Sequence, residues 1–465
     1  MTRRPKRAPR TAAVQWSRLL RRFGPQKLRP SALVAELDTS LEHLSYQPIS
    51  SEAVHGLRYF WFDGLFASIS LNFYANFVTL FALAYGASNA QVGQLTAIAS
   101  LLAALSLFTG VWAVGALGRR KPIVILSGAG VGRFLLLVWA CVPFFIHNPR
   151  VAIWGIIIIN ALITFMSNFG NPAWTSMVAD IVPLDMRGRY FSSRNLIMNV
   201  MALVVVPLGG WLVTTGNGLP GLPFGGYQLV FFLAFATGMV STFSFQQIKE
   251  KVDPNIRGRR HRWLDTARTI KNTPGFMGFV VSAFVWNVGL QIAGPFFNVY
   301  LVSKLGANTT MVGLLTSVTS VFALIAQPWL GRLTDRRGNM WMLGVTGLLI
   351  PFLPLAWAVV GAPWQVIFIN IGAGILWTGY NLANFNLLLE MAPNEARADA
   401  AAFYQFVVAG AAIIGPLLGG YLADAAGFKL IFVLSAAWRW LGVFAFLWLA
   451  ARPVARARKQ AAAEG

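Results

Sequence analysis

Residues 309–338, TTMVGLLTSVTSVFALIAQPWLGRLTDRRG, begin as an apolar segment and end in a cluster of charges. No charged side chain precedes Arg332, whereas four of the last seven residues are charged. A helix rises about 1.5 Å per residue, so roughly 20 apolar residues cross the hydrocarbon core of a bilayer. The segment therefore predicts a helix that spans a membrane and ends in a charged loop.

The same pattern recurs along the whole chain. Of its 465 residues, 56% are hydrophobic and 12% are charged, and the mean hydropathy is +0.59. Soluble domains have about 25% charged residues, so the composition excludes a soluble globular protein and indicates a polytopic membrane protein. The single cysteine, Cys141, excludes a disulfide framework or a Cys-x-x-Cys metal site within one chain. We expect neither a metal nor a cofactor.

We predict twelve spanning helices from the lengths of the apolar segments. In chain order, helices 1 to 12 cover 59–84, 91–115, 122–146, 151–179, 190–215, 227–247, 275–303, 309–332, 339–361, 364–391, 399–423 and 428–451.

The basic residues lie mostly on one side of this arrangement. The chain has 38 Lys and Arg against 16 Asp and Glu, a net charge of +22. Counting loop by loop places 33 of the 38 on one set of loops, and the opposite loops hold Arg150, Lys304 and Lys429. Since cytoplasmic loops carry the excess of Lys and Arg, both termini and the central loop are predicted to be cytoplasmic, in a cell membrane crossed many times.

The second half of the chain repeats the first. Gly86-Ala87, Val92-Gly93 and Leu95 recur 220 residues later as Gly306-Ala307, Val312-Gly313 and Leu315. At an offset of 210, Asn160, Asn171, Asp180, Pro183, Arg187, Gly209 and Gly210 match Asn370, Asn381, Glu390, Pro393, Arg397, Gly419 and Gly420. Carriers are often built from such repeats. We predict a basic tail (1–58), a six-helix bundle (59–247), a cytoplasmic loop (248–274), a second six-helix bundle (275–451) and a basic tail (452–465).

Two segments outside the predicted helices have amphipathic spacing. Their apolar residues are Trp16, Leu19, Leu20 and Phe23 in the first tail, and Trp263, Leu264, Ala267 and Ile270 in the central loop. Basic residues flank both sets, so we predict helices that lie on the anionic membrane surface. A nucleic-acid-binding arm is the alternative, but it lacks aromatic stacking platforms and a binding motif, so we expect no nucleic-acid partner.

The residues GRLTDRRG at 331–338 fit the pattern G-x-x-x-D-R-x-G and resemble the signature loop of the major facilitator superfamily. With the twelve helices, the half repeat and the loop from Asp180 to Gly188, the resemblance extends from Arg58 to Arg452. It implies an all-α fold of two pseudo-symmetric six-helix bundles that carries a small solute by alternating access.

The resemblance also implies gating residues at the cytoplasmic side. Asp335 is expected to sit against the start of helix 5, near Arg189, where helix amides accumulate positive charge. The first half has Val111 and Gly115 in place of the first Gly and the Asp, so we expect Asp399 to face Arg119 and Arg120 there instead. The other gating candidates are Gly331, Arg336, Gly338, Asp180, Arg187, Glu390 and Arg397. The alternative is that these are ordinary solvated loop charges.

In this family helices 1, 4, 7 and 10 line the central cavity. Helix 4 carries Asn160, Thr164, Asn168 and Asn171 on one face, and an amide facing lipid would leave its donors unpaired. The cavity candidates are Asn72, Asn76, Asn160, Thr164, Asn168, Asn171, Trp286, Asn287, Gln291, Asn370, Trp377 and Asn381. For any single Asn, bridging between helices is an equally good interpretation.

Three ionisable residues lie deep in predicted helices, where such residues are functional candidates. Asp63 in helix 1 is the coupling candidate for a proton gradient, with capping of the helix as its alternative. Arg133 and Arg439 lie in helices 3 and 12, which are peripheral in the family, so we expect them to pair with neighbouring helices or to snorkel.

These observations predict a secondary transporter, not an enzyme, that acts as a monomer on a small neutral or amphipathic solute such as a drug-like compound or a sugar. No Walker A motif is present, which indicates an ion gradient as the energy source. One alternative is a membrane enzyme acting on lipid-linked substrates, but the four histidines, His43, His55, His147 and His261, lie outside the spans. The other is a non-transporting solute sensor.

The charge distribution makes a testable prediction of topology. Protease added to sealed inside-out vesicles should cleave the loop containing Arg257 to Arg262, because that loop faces the cytoplasm. The same protease added to right-side-out vesicles should leave the loop intact, and the opposite result would overturn the helix assignment.

Overall fold

The computed structural model describes residues 38, 39, 41, 50–183, 186–217, 224–250, 273–393 and 397–454. The described residues contain twelve helices long and apolar enough to cross a membrane, which confirms the all-α prediction. They are α1 Ser51–Ala84, α2 Asn89–Leu117, α3 Lys121–Phe145, α4 Pro149–Val178, α5 Arg187–Gly216, α6 Gly225–Gln246, α7 Phe276–Ser303, α8 Thr309–Arg337, α9 Asn339–Val359, α10 Pro363–Met391, α11 Ala400–Ala426 and α12 Phe428–Val454. The two predicted surface helices lie outside the described residues.

Helix α1 begins earlier than the sequence predicts. Ser50 caps it, because the Ser50 hydroxyl accepts a hydrogen bond from the amide of Ala53 at 3.3 Å, and the apolar pattern alone had placed the start at residue 59. Asp63 therefore lies more than three turns inside the helix, and the interpretation of Asp63 as a helix cap is wrong.

The chain folds into an N-terminal half, α1–α6, and a C-terminal half, α7–α12, which meet closely where α2 and α11 cross. A Cβ atom added at Gly93 would lie 2.3 Å from the carbonyl oxygen of Pro416. One added at Gly420 would lie 2.6 Å from the carbonyl oxygen of Asn89. Since real Cβ atoms do not approach so closely, only glycine allows the two backbones to touch here.

The contact between α5 and α8 is the symmetric counterpart. A Cβ atom at Gly210 would lie 2.3 Å from the carbonyl oxygen of Thr309, and one at Gly313 would lie 2.7 Å from that of Val206. Gly313 and Gly210 are the repeat partners of Gly93 and Gly420. Both contacts lie at the end of the bundle opposite the basic loops, which we call the outer end.

Hydrogen bonds between the halves reinforce this outer contact. The Asp424 carboxylate at the end of α11 accepts from the amides of Asn89 (3.2 Å) and Ala90 (2.8 Å), at the first residues of α2. An acid at a helix start is favourable because the helix dipole concentrates positive charge there. Its repeat partner, Thr214, shares a 2.8 Å hydrogen bond with Thr309. The outer end is therefore closed by backbone packing and by polar contacts.

At the opposite, basic end, the predicted contact of Asp335 is not formed among the described residues. Asp335 is exposed, and it forms no ion pair with any residue in the described ranges. The contact of Asp335 with the start of α5 stays a prediction for a state in which that end closes.

The glycine contacts generate a second prediction. Gly420→Ala should weaken closure of the outer end, because overpacking costs about 1–3 kcal/mol and such a cost shifts a two-state equilibrium about fivefold or more. A cysteine at Thr316, introduced in a Cys141→Ser background, reports access from the outside by its rate of labelling with an impermeant maleimide.

Gly410→Ala is the matched control on the same helix, since its Cβ would meet nothing closer than 3.7 Å. Equal labelling rates in the two alanine variants would contradict the role given to Gly420.

Candidate functional site

Each half of the bundle contains a cavity of about 400 Å³. The N-half cavity lies among α1, α3, α4, α5 and α6, and its polar lining residues are Asp63, Ser70, Tyr74, Ser127, Arg133, Ser167, Asn171 and Arg194. The C-half cavity lies among α7, α8, α9, α10 and α12, and its polar lining residues are Asn298, Thr316, Thr319, Ser320, Asn370 and Arg439.

A buried ionic cluster forms one wall of the N-half cavity. Asp63 is 6% exposed, and its Oδ2 atom lies 3.3 Å from Nη2 of Arg194. Its Oδ1 atom accepts a 2.6 Å hydrogen bond from the Ser241 hydroxyl, which in turn accepts one from Nη2 of Arg133 at 2.8 Å. The carboxylate is thus held between two guanidinium groups, one in direct contact and one through a hydroxyl.

The structure corrects one expectation about the basic residues of this region, that of Arg194, and extends another, that of Arg133. Arg194 was counted among the loop charges, but it is 5% exposed within α5, and the aromatic ring of Phe60 lies 4.4 Å from its guanidinium carbon. Arg58, five residues before Asp63 on α1, forms its ion pair with Asp38 at 2.6 Å. Arg133 does contact a neighbouring helix, as expected, but it also lines the cavity.

Arg439 departs furthest from expectation. It was expected to pair with a neighbouring helix or to snorkel, yet it is 2% exposed and lines the C-half cavity. Its Nε and Nη2 atoms are buried without a hydrogen-bond partner. From the sequence, Arg439 was not expected to line a cavity, because α12 is a peripheral helix in the family.

The predicted amides divide between two roles. Asn160 donates to the carbonyl oxygen of Leu95 at 3.4 Å, and Asn370 donates to that of Leu315 at 2.8 Å. These are equivalent positions of the two halves, and each bond ties one helix to its neighbour. The interpretation of helix-bridging amides therefore holds for both, while Asn370 also lines the C-half cavity.

Other predicted polar residues turn back onto their own helices. The side chains that donate to a carbonyl oxygen four residues earlier are Asn72, Thr164, Asn168 and Asn287. Such a bond satisfies a polar group locally in an apolar environment.

The remaining cavity candidates are spread between the two cavities and the helix packing. Asn171 lines the N-half cavity and Trp377 the C-half cavity. Trp286 is buried, and Gln291 packs against Gly415. The last two, Asn76 and Asn381, line neither cavity.

The gating candidates are mostly engaged within one half. Arg120 is buried and its Nη1 atom lies 2.7 Å from Asp180, while its backbone amide donates to Glu250 at 2.6 Å. Arg120 therefore ties α3 to α4 and to the residues that follow α6, and its contact with Asp399 stays a prediction.

The equivalent acid in the C-half, Glu390, accepts a hydrogen bond from Asn339 at the start of α9. Arg187 donates to the carbonyl oxygen of Val182, within its own half. Among the other gating candidates, Arg119, Asp335, Arg336 and Gly338 are exposed, and Gly331 and Arg189 are half-buried. The side chains of Arg397 and Asp399 lie outside the described residues, so the contact between Asp399 and Arg119 stays a prediction.

Comparison with known proteins places the fold. The family model described as Major Facilitator Superfamily matches residues 60–408, and a second match covers residues 288–465. The chain is 22% identical over 407 residues to the "Multi-drug resistance efflux pump PmrA homolog" of Lactococcus lactis, covering 83% of this chain and 94% of that protein. It is 23% identical over 321 residues to "Multidrug resistance protein MdtG" of Salmonella typhi, covering 68% and 75%.

Solved structures with the same fold share little sequence. A bacterial homolog of the human lysosomal transporter Spinster, in an inward-facing and unoccupied conformation, matches with a TM-score of 0.71 at 13% identity, over 87% of this chain and 98% of that chain. The nucleoside transporter NupG matches with a TM-score of 0.64 at 12% identity, over 86% and 99%.

The ionic cluster makes a prediction of stability. Arg194→Met should destabilise the protein by about 3–5 kcal/mol, because it leaves the buried Asp63 carboxylate without its ion-pair partner. The double variant Asp63→Asn/Arg194→Met should lose less than Arg194→Met alone, as measured by thermal unfolding of the purified protein in detergent. Arg119→Met, which removes an exposed charge, is the control, and a double variant no more stable than Arg194→Met would refute the pairing.

Proposed function

The chain belongs to the Major Facilitator Superfamily and is a membrane transporter of small solutes, and from this premise we propose that it exports amphipathic, drug-like compounds in exchange for protons. The relatives named as multidrug pumps support this substrate class. So do the aromatic and amide side chains on the cavity walls, among them Trp174 and Asn171 in one half and Trp377 and Asn370 in the other. We place the protein in the cell membrane as a monomer with both termini in the cytoplasm.

The observation that carries the coupling proposal is the buried carboxylate of Asp63 at the cavity wall, tied to Arg194. A charged side chain inside a membrane is costly unless it is paired. If α1 and α5 shift when the carrier changes state, the carboxylate loses its partner, and a proton then neutralises it. Proton binding and the movement of the helices are thereby linked.

Alternation between two states follows from the contacts between the halves. The outer closure at Gly93 and Gly420 would separate as the basic end closes, and the predicted contact of Asp335 with the start of α5 would then form. Each closing contact is small, so neither state is favoured so strongly that solute or proton binding cannot shift the balance.

Reconstituted proteoliposomes test the proposed function. With an acidic interior, vesicles should accumulate at least one of three probes: radiolabelled chloramphenicol (neutral), 2-naphthoate (anionic) or ethidium (cationic). Proton efflux then drives entry of the probe. Absence of uptake of all three by the wild-type protein would overturn the proposed function.

Asp63→Asn tests the coupling. It should abolish uptake driven by the pH gradient while exchange of the same probe between equal pools continues, because the neutral amide cannot carry the proton. Asp38→Asn makes the same chemical change outside the membrane and should retain both activities. Loss of exchange together with uptake in Asp63→Asn would refute a role restricted to coupling.

A further inference from the structure

Arg439 is a charged residue that the described structure leaves without a counterion. It is 2% exposed, its Nε and Nη2 atoms have no hydrogen-bond partner, and no described carboxylate forms an ion pair with it. Arg133 in the N-half, by contrast, donates to the hydroxyls of Ser241 and Thr242. Leaving the donors of a buried arginine unpaired inside a membrane costs free energy. Such a residue in a membrane helix is therefore a candidate ligand site.

The Arg439 side chain cannot reach the aqueous surface of the membrane by extending along its helix. It lies 11 residues from the start of α12 at Phe428 and 15 from its end at Val454, so roughly 16 Å of helix separates it from the nearer end, more than the length of its side chain. The helix is also held firmly, since the Ser435 hydroxyl donates to the carbonyl oxygen of Gly289 at 2.6 Å. Arg439 therefore stays in the membrane interior, where it forms part of the wall of the C-half cavity.

A second unpaired donor belongs to Trp286 of α7, which packs against Gly442, three residues after Arg439 on α12. Trp286, whose ring stacks on Tyr380 with centroids 4.9 Å apart, has a buried indole N–H without a partner. The unpaired donors of the Arg439 guanidinium group itself are complementary to an acceptor that carries negative charge.

The cavity wall also has an apolar side. The rings of Phe297, Trp357 and Trp377 line it together with Arg439, and its volume of about 400 Å³ is that of a site for a small molecule. An occupant with one acidic end and an apolar body would satisfy both surfaces.

We propose that the C-half cavity binds the single negatively charged group of an amphipathic solute, such as a carboxylate, through Arg439, with the apolar part against the aromatic rings. The proposal rests on the proposed transport function, since it names a chemical class of solute that the carrier accepts. One guanidinium group suits one acidic group, because a polyanion would require further unpaired cations. A planar guanidinium also matches the two oxygens of a carboxylate.

A pair of probes that differ in charge tests the site. Isothermal titration of the purified protein in detergent should show that 2-naphthoate binds at least about tenfold more tightly than 2-naphthamide, which has the same ring and no charge. Arg439→Gln should abolish this preference, and Arg439→Lys should retain part of it. Lys429→Gln removes an exposed charge from the same helix and should leave the preference unchanged.

Two outcomes would overturn the proposal. Equal binding of the two probes by the wild-type protein refutes an anion site, whether or not the variants fold. Loss of naphthoate binding in nanodiscs of phosphatidylglycerol, but not in nanodiscs of phosphatidylcholine, assigns the site to a lipid headgroup. Selective naphthoate binding without proteoliposome transport of any probe would support the site and overturn the proposed function, so the two failures are distinguishable.

Discussion

Close approach of two pairs of helix backbones at the outer end is the contact on which the arrangement of the halves depends. Gly93 and Gly420 on one side, and Gly210 and Gly313 on the other, leave no space for a Cβ atom. Apolar side chains gain little by leaving lipid for another helix, so packing of small residues and polar contacts must hold the halves together. Here the second contribution comes from Asp424, whose carboxylate lies against the first amides of α2.

The low dielectric of the membrane interior explains why so many polar side chains have internal partners. Asn160 and Asn370 bond to a neighbouring helix, and Asn72 and Asn287 bond to their own. Each removes a donor that lipid could not satisfy. A row of amides along a membrane helix therefore serves mainly to form hydrogen bonds within and between helices. Only those amides that also line a cavity, such as Asn370, can contact a solute.

The two halves treat buried charge differently although their helices are related by a repeat. In the N-half, Asp63 neutralises Arg194 and approaches Arg133 through Ser241, so the cluster is satisfied internally. In the C-half, Arg439 has no such acid among the described residues. Under our two proposals, the carboxylate of the N-half exchanges its ion pair for a proton, and the arginine of the C-half binds an acidic ligand. The two halves share the helix packing of the repeat. Their chemistry differs because individual charged residues differ between them.

The sequence by itself determined the membrane class, the twelve helices, the repeat of the halves and the family, because hydropathy and loop motifs are local along the chain. It also marked Asp63 as a buried acid. It missed Arg194 as the partner, since that residue stands near a helix start and counts there as a loop charge. It did not predict that Arg439 lines a cavity, because the peripheral position of a helix does not determine the direction of each of its side chains. Ion pairs and orphaned donors depend on how helices distant in sequence pack, and only the tertiary structure decided which charges meet and which remain without a partner.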